Sequence, residues 1–579
     1  MKLLVITPVE ADPNCQAITL LLDQIGIPYD VLIATENQLM QEQLWHGSQA
    51  RYQGIILATG NLLYWSEAEA CWKSALSLAS WQLLWAYEIR FGIRQLALYA
   101  IGGSPEDYGV QLGAMQATDV TSLPVYLTEA GRALFPYLNA EHPILVQFVP
   151  VYPAQSATPN TIPLLLTKGG DTVAALSITE DGRETLAVTF AHTTTALHTH
   201  LLGYGLINWV TRGLFVGERH IYLNVQVDDI FNRNTLWDTT TGTTGKAIYR
   251  MRASDAETVV RWLARVKSQM PNCETLTLDF AFNCAGIPGY VSDPTAATRD
   301  PLSQVLLHYQ RHFRWINHGY THLLLDQATY AESTAEILQN HQAALALGLE
   351  RYHPTDMVTA VVSGLGNPEF LRAARDAGIR RLVSDTSNPE WDNAAPNTGI
   401  INPLQPEILC IPRRPTNLFF DVSTPAEWES KYNAIYYAYW QRDLSVDEIV
   451  VQEGEMILRY LLRFDSNPLM FHQANLRAYN EQASLLTDLL DYVLARYHEF
   501  YGAVPIRCLS MEGIGTLMSR RALLNTTKVD ATLVIGKGLS LCADQAVTVP
   551  VTGAYINGEC EVYAGQWISQ IALQDEERW

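Results

Sequence analysis

Two adjacent carboxylates follow an apolar run near the middle of the chain. The run Leu223–Val227 predicts a β-strand, and Asp228 and Asp229 come directly after it. Two neighbouring acids repel each other, and a bound metal cation is the usual compensation. Taken alone, an Asp-Asp pair behind a strand fits a turn as well as it fits a metal site.

A second motif places two histidines four residues apart, at His318 and His322. If this segment is helical, both imidazoles lie on one face. Two imidazoles and one carboxylate suit a divalent metal such as zinc and leave a coordination position for water. The spacing also arises by chance, so surface or capping histidines are the alternative.

A third candidate is His472, which ends the short apolar run Pro468–Phe471. By itself it is equally consistent with a buried core histidine. A rival cluster contains His192, His198 and His200. It has no acid pair nearby and precedes a predicted helix, so we interpret it as capping and packing.

The three motifs lie in a region where short apolar strands alternate with helical patterns, from about residue 216 to 521. This alternation predicts a parallel (β/α) barrel or a distorted version of one, in which the C-terminal ends of the strands face the active site. Its predicted helices are Asp255–Gln269, Thr334–Ala346, Pro368–Ala377 and Tyr479–Arg496. The segments 235–249 and 282–311 are expected to be loops that shape a substrate groove.

The first hundred residues predict strands separated by helices, including a long helix over Ser66–Ile89. This pattern indicates a parallel sheet covered on both faces, and it resembles a flavodoxin-like or class I amidotransferase-like layer. No cysteine follows the predicted strand end at Ala97–Ile101, so we interpret the domain as non-catalytic.

Residues of about 109–190 predict a β-rich insertion into this first domain, a candidate for carbohydrate binding. Residues Val529–Leu573 alternate apolar and polar side chains and predict a small antiparallel β module. The expected architecture is therefore an α/β multidomain chain divided into 1–215, 216–521 and 522–579.

Composition limits the class of protein. The chain has 579 residues, of which 48% are hydrophobic and 17% charged, so it can bury sizeable cores. Its formal net charge of −21 disfavours nucleic acid and anionic membrane as partners. The chain has 14 Trp and 28 Tyr. Aromatic residues in such numbers often stack on sugar rings, although most of them are expected in the core.

Compartment and redox state follow from similar arguments. The eight cysteines are scattered without a CxxC pair, which argues against a disulfide framework or a thiolate zinc site. One or two disulfides stay open if the protein is exported. We expect no transmembrane segment, and the N-terminal apolar run is too short for a signal peptide. The chain as given is expected to be cytoplasmic, or extracytoplasmic if it is a mature form.

Taken together, the Asp-Asp pair, the His-x-x-x-His motif and the strand-end histidine resemble the NodB-homology polysaccharide deacetylases over residues 216–521. Glu336, Ile337 and Asn340, which come after the second motif, are also similar to that family. The segments 209–217 and 412–425 are similar to the fungal galactosaminogalactan deacetylase family and its bacterial relatives. In that group an N-terminal region and a β-rich carbohydrate-binding region accompany the deacetylase barrel.

The resemblance implies a metal-dependent hydrolase. Asp229, His318 and His322 would hold a divalent metal, with zinc expected. Asp228 would be the general base that takes a proton from the attacking water, and His472 the general acid that protonates the leaving amine.

One family feature is missing. The usual Arg-x-Pro motif, whose arginine holds the catalytic aspartate, is not evident, and Ser363–Pro368 occupies its approximate place. Arg413 and Arg414 are the candidates for that role, and Arg414 is also a candidate for binding substrate hydroxyls or an ordinary surface cation. Asp385 is a candidate to orient His472, or else a turn residue. Asn283 is a candidate for the groove.

The function implied is removal of acetyl groups from an N-acetylhexosamine polysaccharide, with an N-acetylgalactosamine-containing polymer expected. A carbohydrate-binding protein with an inactive barrel and a small-amide metal hydrolase are the alternatives. The polysaccharide is the expected partner, and the oligomeric state stays open.

Overall fold

The computed structural model describes residues 1–101, 105–556 and 559–574. These residues form two compact units. The first comprises residues 1–219, 499–504 and 523–579, and the second comprises 220–498 and 505–522. The chain is thus an α/β multidomain protein, and residues 523–574 group with the N-terminal unit.

The first unit is built on a mixed sheet of eleven strands. Five parallel strands form one side in the spatial order Tyr29–Ile33, Leu3–Thr7, Gly54–Leu57, Arg94–Ala97 and Glu184–Val188. Leu3–Thr7 is buried along its whole length, as expected for a parallel strand covered on both faces. The helices are Pro13–Ile25, Gln41–Leu44, Leu78–Phe91, Glu129–Leu134 and Leu197–Val210.

The expected β-rich insertion extends this same sheet. Its strands run antiparallel and continue outward from Glu184–Val188 in the order Thr172–Ile178, Thr161–Thr167, Leu123–Leu127 and Ile144–Val146, with Ala154–Ser156 and Val110–Leu112 paired at the side. Short pairs outside this sheet include Trp45–His46 with Gln49–Ala50 and Gln116–Ala117 with Pro150–Val151.

The predicted helix over Ser66–Ile89 is wrong in its first half. Leu63–Ser66 and Cys71–Ser74 pair as a hairpin, with Trp65 opposite Trp72. The centroids of the two rings lie 5.9 Å apart, and this aromatic cross-strand contact stabilises the hairpin. The helix begins only at Leu78, because Ser77 caps it by accepting a hydrogen bond from Ser80 N.

The C-terminal part of this unit is antiparallel. Phe215–Val216, Val547–Thr552, Gln566–Leu573 and Glu559–Tyr563 form a four-stranded sheet, and Val529–Val534 pairs with Gly538–Ala543. Residues 557, 558 and 575–579 of the predicted β module lie outside the described residues.

The second unit is a closed barrel of seven parallel strands. In order they are Val225–Ile230, Leu278–Phe282, Phe313–Asn317, Tyr352–Met357, Arg381–Asp385, Leu409–Pro415 and Leu469–His472, and the seventh pairs with the first. Ile400–Ile401 lies antiparallel on the sixth strand, and Ile221–Tyr222 pairs with Ile506–Arg507. Because all seven strands are parallel, their C-terminal ends meet at one face of the barrel.

Helices follow the barrel strands, namely Ala253–Gln269, Pro301–His308, Tyr330–Ala346, Pro368–Asp376, Pro425–Trp440, Val446–Leu462, Leu485–Tyr501 and Met511–Thr526. The expected loop at 235–249 is instead a hairpin of Asn234–Asp238 and Thr243–Tyr249. The segment 282–311 contains short 3₁₀ turns and the helix Pro301–His308. Among the described helices, none has the length and apolar character needed to cross a membrane.

A buried ion pair joins the second and third barrel strands. Arg314 Nε donates to Asp279 Oδ1 at 2.5 Å, and Arg314 Nη1 donates to the Cys508 carbonyl at 3.0 Å. Since both side chains are buried, removal of one partner leaves an uncompensated charge.

We expect Arg314→Ala to lower the free energy of unfolding of the barrel by about 3–5 kcal/mol, measured by urea denaturation. The double variant Asp279→Leu/Arg314→Met removes both charges and should recover much of the loss. A double variant as unstable as the single one would contradict this explanation.

Candidate active site

The two adjacent acids diverge at the end of the first barrel strand. Pairing with the second strand shifts register between Val227 and Ile230, and Asp229 has a φ of 68°. A local bulge of this kind re-aims successive side chains. As a result Asp228 contacts an arginine, whereas Asp229 contacts two histidines.

Asp229, His318 and His322 form the one group of metal-type ligands found among the described residues. Asp229 Oδ1 lies 3.1 Å from His322 Nε2 and 3.6 Å from His318 Nε2. The three ligand atoms all lie within 4.8 Å of one another. The structure therefore brings together the three residues that the sequence predicted as ligands.

The His-x-x-x-His segment is not helical. His318 follows the third barrel strand directly, and the chain then turns through Gly319, with φ 78°, and His322, with φ 67°. The two imidazole centroids lie 4.9 Å apart. The turn thus brings the two imidazoles together, as a helix would have done. A side chain at position 319 would crowd the Glu336 carboxylate, because its Cβ would lie 2.9 Å from Oε2.

The His318 ring is oriented for coordination through Nε2. Its Nδ1 donates to the Val358 carbonyl at 2.8 Å, since a carbonyl oxygen can only accept. His318 Nε2 is buried and has no hydrogen-bond partner among the described residues. An outer partner that fixes the tautomer in this way is typical of metal-binding histidines, so these residues fit a divalent cation.

Burial and charge act against each other in this group. Burial raises the pKa of Asp229, but the neighbouring imidazoles of His318 and His322 outweigh it and hold that pKa well below its usual range. Burial lowers the pKa of His318, but Asp229 and Asp228 outweigh it and raise that pKa.

Asparagines hold the ligand loops in place. Asn283 Nδ2 donates to the carbonyls of His318, at 2.6 Å, and Gly319, at 2.9 Å. Its Oδ1 accepts from Asn232 Nδ2, which also donates to Asp229 Oδ1 at 3.2 Å. Asn283 is completely buried, so the expectation that it lines a groove is wrong. It braces the ligands instead.

The helix Tyr330–Ala346 supports the same turn from behind. Glu336 accepts from Thr321 N at 2.9 Å, and Asn340 Nδ2 donates to Asn317 Oδ1 at 2.8 Å. Sequence reasoning missed one further contact, from Asn234 Nδ2 to Asp229 Oδ2 at 2.8 Å. Asn234 begins the hairpin that replaces the expected loop at 235–249, and no spacing in the sequence marks it.

Arg413 holds Asp228. Its Nη1 and Nη2 donate to the two carboxylate oxygens at 2.8 Å each, and both side chains are buried. Burial raises the pKa of Asp228, but Arg413 and His318 outweigh it, so that pKa is lowered and the carboxylate stays ionised. Arg413 comes from the sixth barrel strand, whereas the family pattern placed an arginine nearer Ser363.

Arg414 and Asp385 do not take the predicted roles at the centre. Arg414 Nε donates to Asp465 Oδ2 at 2.8 Å, so the alternative that Arg414 holds Asp228 is wrong. Asp385 ends the fifth barrel strand and accepts from Ser387 N at 2.8 Å, which is its turn role. His472 Nδ1 is buried without a hydrogen-bond partner among the described residues, so the expectation that Asp385 orients it is wrong.

His472 ends the seventh barrel strand and lies opposite Asp228 in the register of the neighbouring first strand. Its backbone N–H donates to Asn475 Oδ1 at 2.9 Å. Burial lowers the pKa of His472, and the carboxylates of Asp228 and Asp229 partly oppose this.

The rival histidines lie in the other unit and pack there. His192 Nδ1 pairs with Thr199 Oγ1 at 3.1 Å, and His198 Nε2 donates to the Ala191 carbonyl at 2.9 Å. Both side chains are buried, in agreement with the interpretation as packing residues.

Comparison with known proteins assigns a class to this arrangement. A family model described as the Agd3 deacetylase domain matches residues 289–490, and one described as the Agd3 CBM87 matches residues 1–209. The matched parts define a deacetylase domain joined to a carbohydrate-binding module. Together they span more than two thirds of the chain, which belongs to the Agd3-like deacetylases.

The crystal structure of one similar protein agrees in fold. The crystal structure of Agd3, described as a novel carbohydrate deacetylase, superimposes with a TM-score of 0.86 at 19% identity, over 100% of this chain and 98% of that one. A family 4 carbohydrate esterase from Streptomyces lividans is 12% identical over 48% of this chain and 90% of that one. Its TM-score of 0.25 is too low to support an argument. No curated protein sequence matches the chain significantly.

The donor group predicts how metal binding responds to substitution. Asp229→Asn or His318→Ala should weaken zinc binding at least about 100-fold, because even an outer partner of a ligand contributes about 10–100-fold. Zinc content after dialysis and competition with a chelating dye measure this. Asp385→Asn is the matched control, an acid at a strand end outside the group, and should bind zinc normally. Unchanged zinc affinity in both ligand variants would refute the assignment.

Proposed function

We propose that the chain is a divalent-metal-dependent hydrolase that removes acetyl groups from an N-acetylhexosamine polymer. The observation that carries this proposal is the Asp229–His318–His322 donor group beside the ion-paired Asp228, at the C-terminal ends of the first and third barrel strands. An acetamide is a poor electrophile and water a poor nucleophile. A site that hydrolyses it must therefore assist both reactants.

Asp229, His318 and His322 would hold the cation, for which zinc is expected. When bound, a divalent cation polarises the acetyl carbonyl and lowers the pKa of water. Asp228 accepts the proton of the attacking water, because Arg413 keeps its carboxylate ionised and oriented.

His472 completes the proton transfers. As the water oxygen bonds to the carbonyl carbon and the C–N bond breaks, His472 donates a proton to the departing nitrogen. The products are acetate and a free amine. The lowered pKa of His472 favours donation once the imidazole is protonated.

Two observations support a polymer as substrate. Residues 1–209 match a carbohydrate-binding module, and the structurally similar Agd3 is described as a carbohydrate deacetylase. The resemblance in sequence favours N-acetylgalactosamine as the sugar. Deacetylation would create cationic amines, which suit a chain with a net charge of −21.

The direct test is acetate release from N-acetylgalactosamine and N-acetylglucosamine oligomers, with zinc and with a chelator. We expect metal-dependent release that Asp228→Asn lowers at least about 100-fold, since a positioned general base contributes about 10²–10⁴-fold. Release from small acetamides alone would favour a small-amide hydrolase. No release by the zinc-loaded protein from any substrate would favour an inactive binding protein.

The two neighbouring arginines provide a second, matched test. Arg413→Lys keeps the charge but loses the paired hydrogen bonds to Asp228, so kcat should fall about 10–100-fold. Arg414→Lys changes the same residue type one position away, beside Asp465, and should leave kcat near the wild-type value. Equal effects of the two substitutions would contradict the role of Arg413.

A further inference from the structure

An exposed aromatic ring stands next to the proposed general acid. Phe420 is 44% exposed, although it is a large apolar side chain on an otherwise well-packed loop. Its ring centroid lies 5.9 Å from that of His472. Neither the proton transfers nor the metal ligands use Phe420.

The loop that carries Phe420 is fixed to the same strand end as His472. Asn475, which is completely buried, accepts from His472 N through Oδ1. Its Nδ2 donates to the carbonyls of Phe419, at 2.8 Å, and Val422, at 3.0 Å. One asparagine therefore sets the position of the Phe420 loop relative to the proposed general acid.

A buried ion pair also lies beside the ring. Lys431 Nζ donates to Asp421 Oδ1 at 2.5 Å, and the Asp421 side chain is fully buried. The Lys431 ammonium also lies 5.2 Å from the Phe420 centroid and 4.8 Å from the Phe419 centroid, within cation–π range.

The hairpin Asn234–Tyr249 ties into the same residues. Trp237 N donates to the Asp421 carbonyl at 2.8 Å, and Thr244 Oγ1 donates to Asp421 Oδ2 at 3.0 Å. The ring centroid of Trp237 also lies 5.2 Å from Lys431 Nζ. The segment expected from the sequence to be a groove-shaping loop is thus a hairpin that holds Asp421 and Lys431 in place beside Phe420.

We propose that Phe420 is a sugar-binding surface of the active site, on which the apolar face of a pyranose ring packs while its acetamido group is hydrolysed. The proposal rests on the proposed function and names the contact that seats the sugar. A rigidly held, partly exposed ring gains contact area without losing side-chain entropy on binding. What distinguishes Phe420 is its place, because its partly exposed ring lies 5.9 Å from the imidazole of the proposed general acid.

The test is steady-state kinetics of Phe420→Ala on an N-acetylgalactosamine oligomer. We expect KM to rise about 10-fold with kcat within about 2-fold of the wild type, because the contact exists before and during reaction. Phe420→Tyr keeps the ring face and should restore KM. The control is Tyr439→Ala, at an aromatic residue 76% exposed near the far end of the helix Pro425–Trp440.

The opposite kinetic pattern would overturn the proposal. If Phe420→Ala lowers kcat and leaves KM unchanged, the ring serves only to position His472. If neither parameter changes, the ring contacts no substrate.

A binding measurement separates this inference from the proposed function. If the wild-type protein releases no acetate, the proposed function fails, and calorimetric titration with the same oligomer still tests Phe420. Residues 1–209 match a carbohydrate-binding module, so two classes of site are expected. Phe420→Ala should weaken one class about 10-fold. Identical titrations of the two proteins, or a single class in both, would refute the sugar-binding surface.

Discussion

The paired hydrogen bonds between Arg413 and Asp228 constrain the rest of the site. If no positive charge compensated it, a carboxylate buried in the barrel would be protonated. Asp228 could then not act as the proposed base. The guanidinium supplies that charge and fixes both carboxylate oxygens. It reaches Asp228 because the barrel closes: the sixth strand pairs with the seventh, and the seventh pairs with the first. Only one strand therefore separates Arg413 from Asp228.

A second constraint is the fixed direction of Asp229. The bulge at the end of the first strand turns Asp229 away from its neighbour and toward two histidines that arrive on a tight turn from the third strand. Asn283 connects these two strand ends, and a helix braces the turn through Glu336 and Asn340. The backbone around the proposed ligands His318 and His322 is therefore held by hydrogen bonds from and to Asn283, Glu336 and Asn340.

How far the sequence predicts this structure depends on the range of the interactions. The acid pair behind its strand, the histidine pair and the strand-end His472 are local patterns, and all of them meet at one face of the barrel. Whether Arg413 or Arg414 reaches Asp228 is not predictable, because both lie on one strand and its register alone decides.

The segment 66–77 has helical composition, but a cross-strand pair of tryptophans and a serine cap decide its structure. The strands after residue 109 are predicted as an insertion, yet an edge strand can accept any further strand through its free backbone groups. Local patterns therefore predict that such strands exist, but not that they widen the parallel sheet.

His472, the proposed proton donor, has no carboxylate hydrogen-bonded to its Nδ1 among the described residues. Its Nδ1 is buried and has no hydrogen-bond partner among the described residues, so no acid fixes its ring or raises its pKa from that side. Its place comes from the seventh strand, from Asn475 at its backbone and from the ring of Phe420. The charges that oppose the burial effect on its pKa are those of Asp228 and Asp229, in the reacting site itself. The pKa of His472 therefore depends on the charges of Asp228 and Asp229.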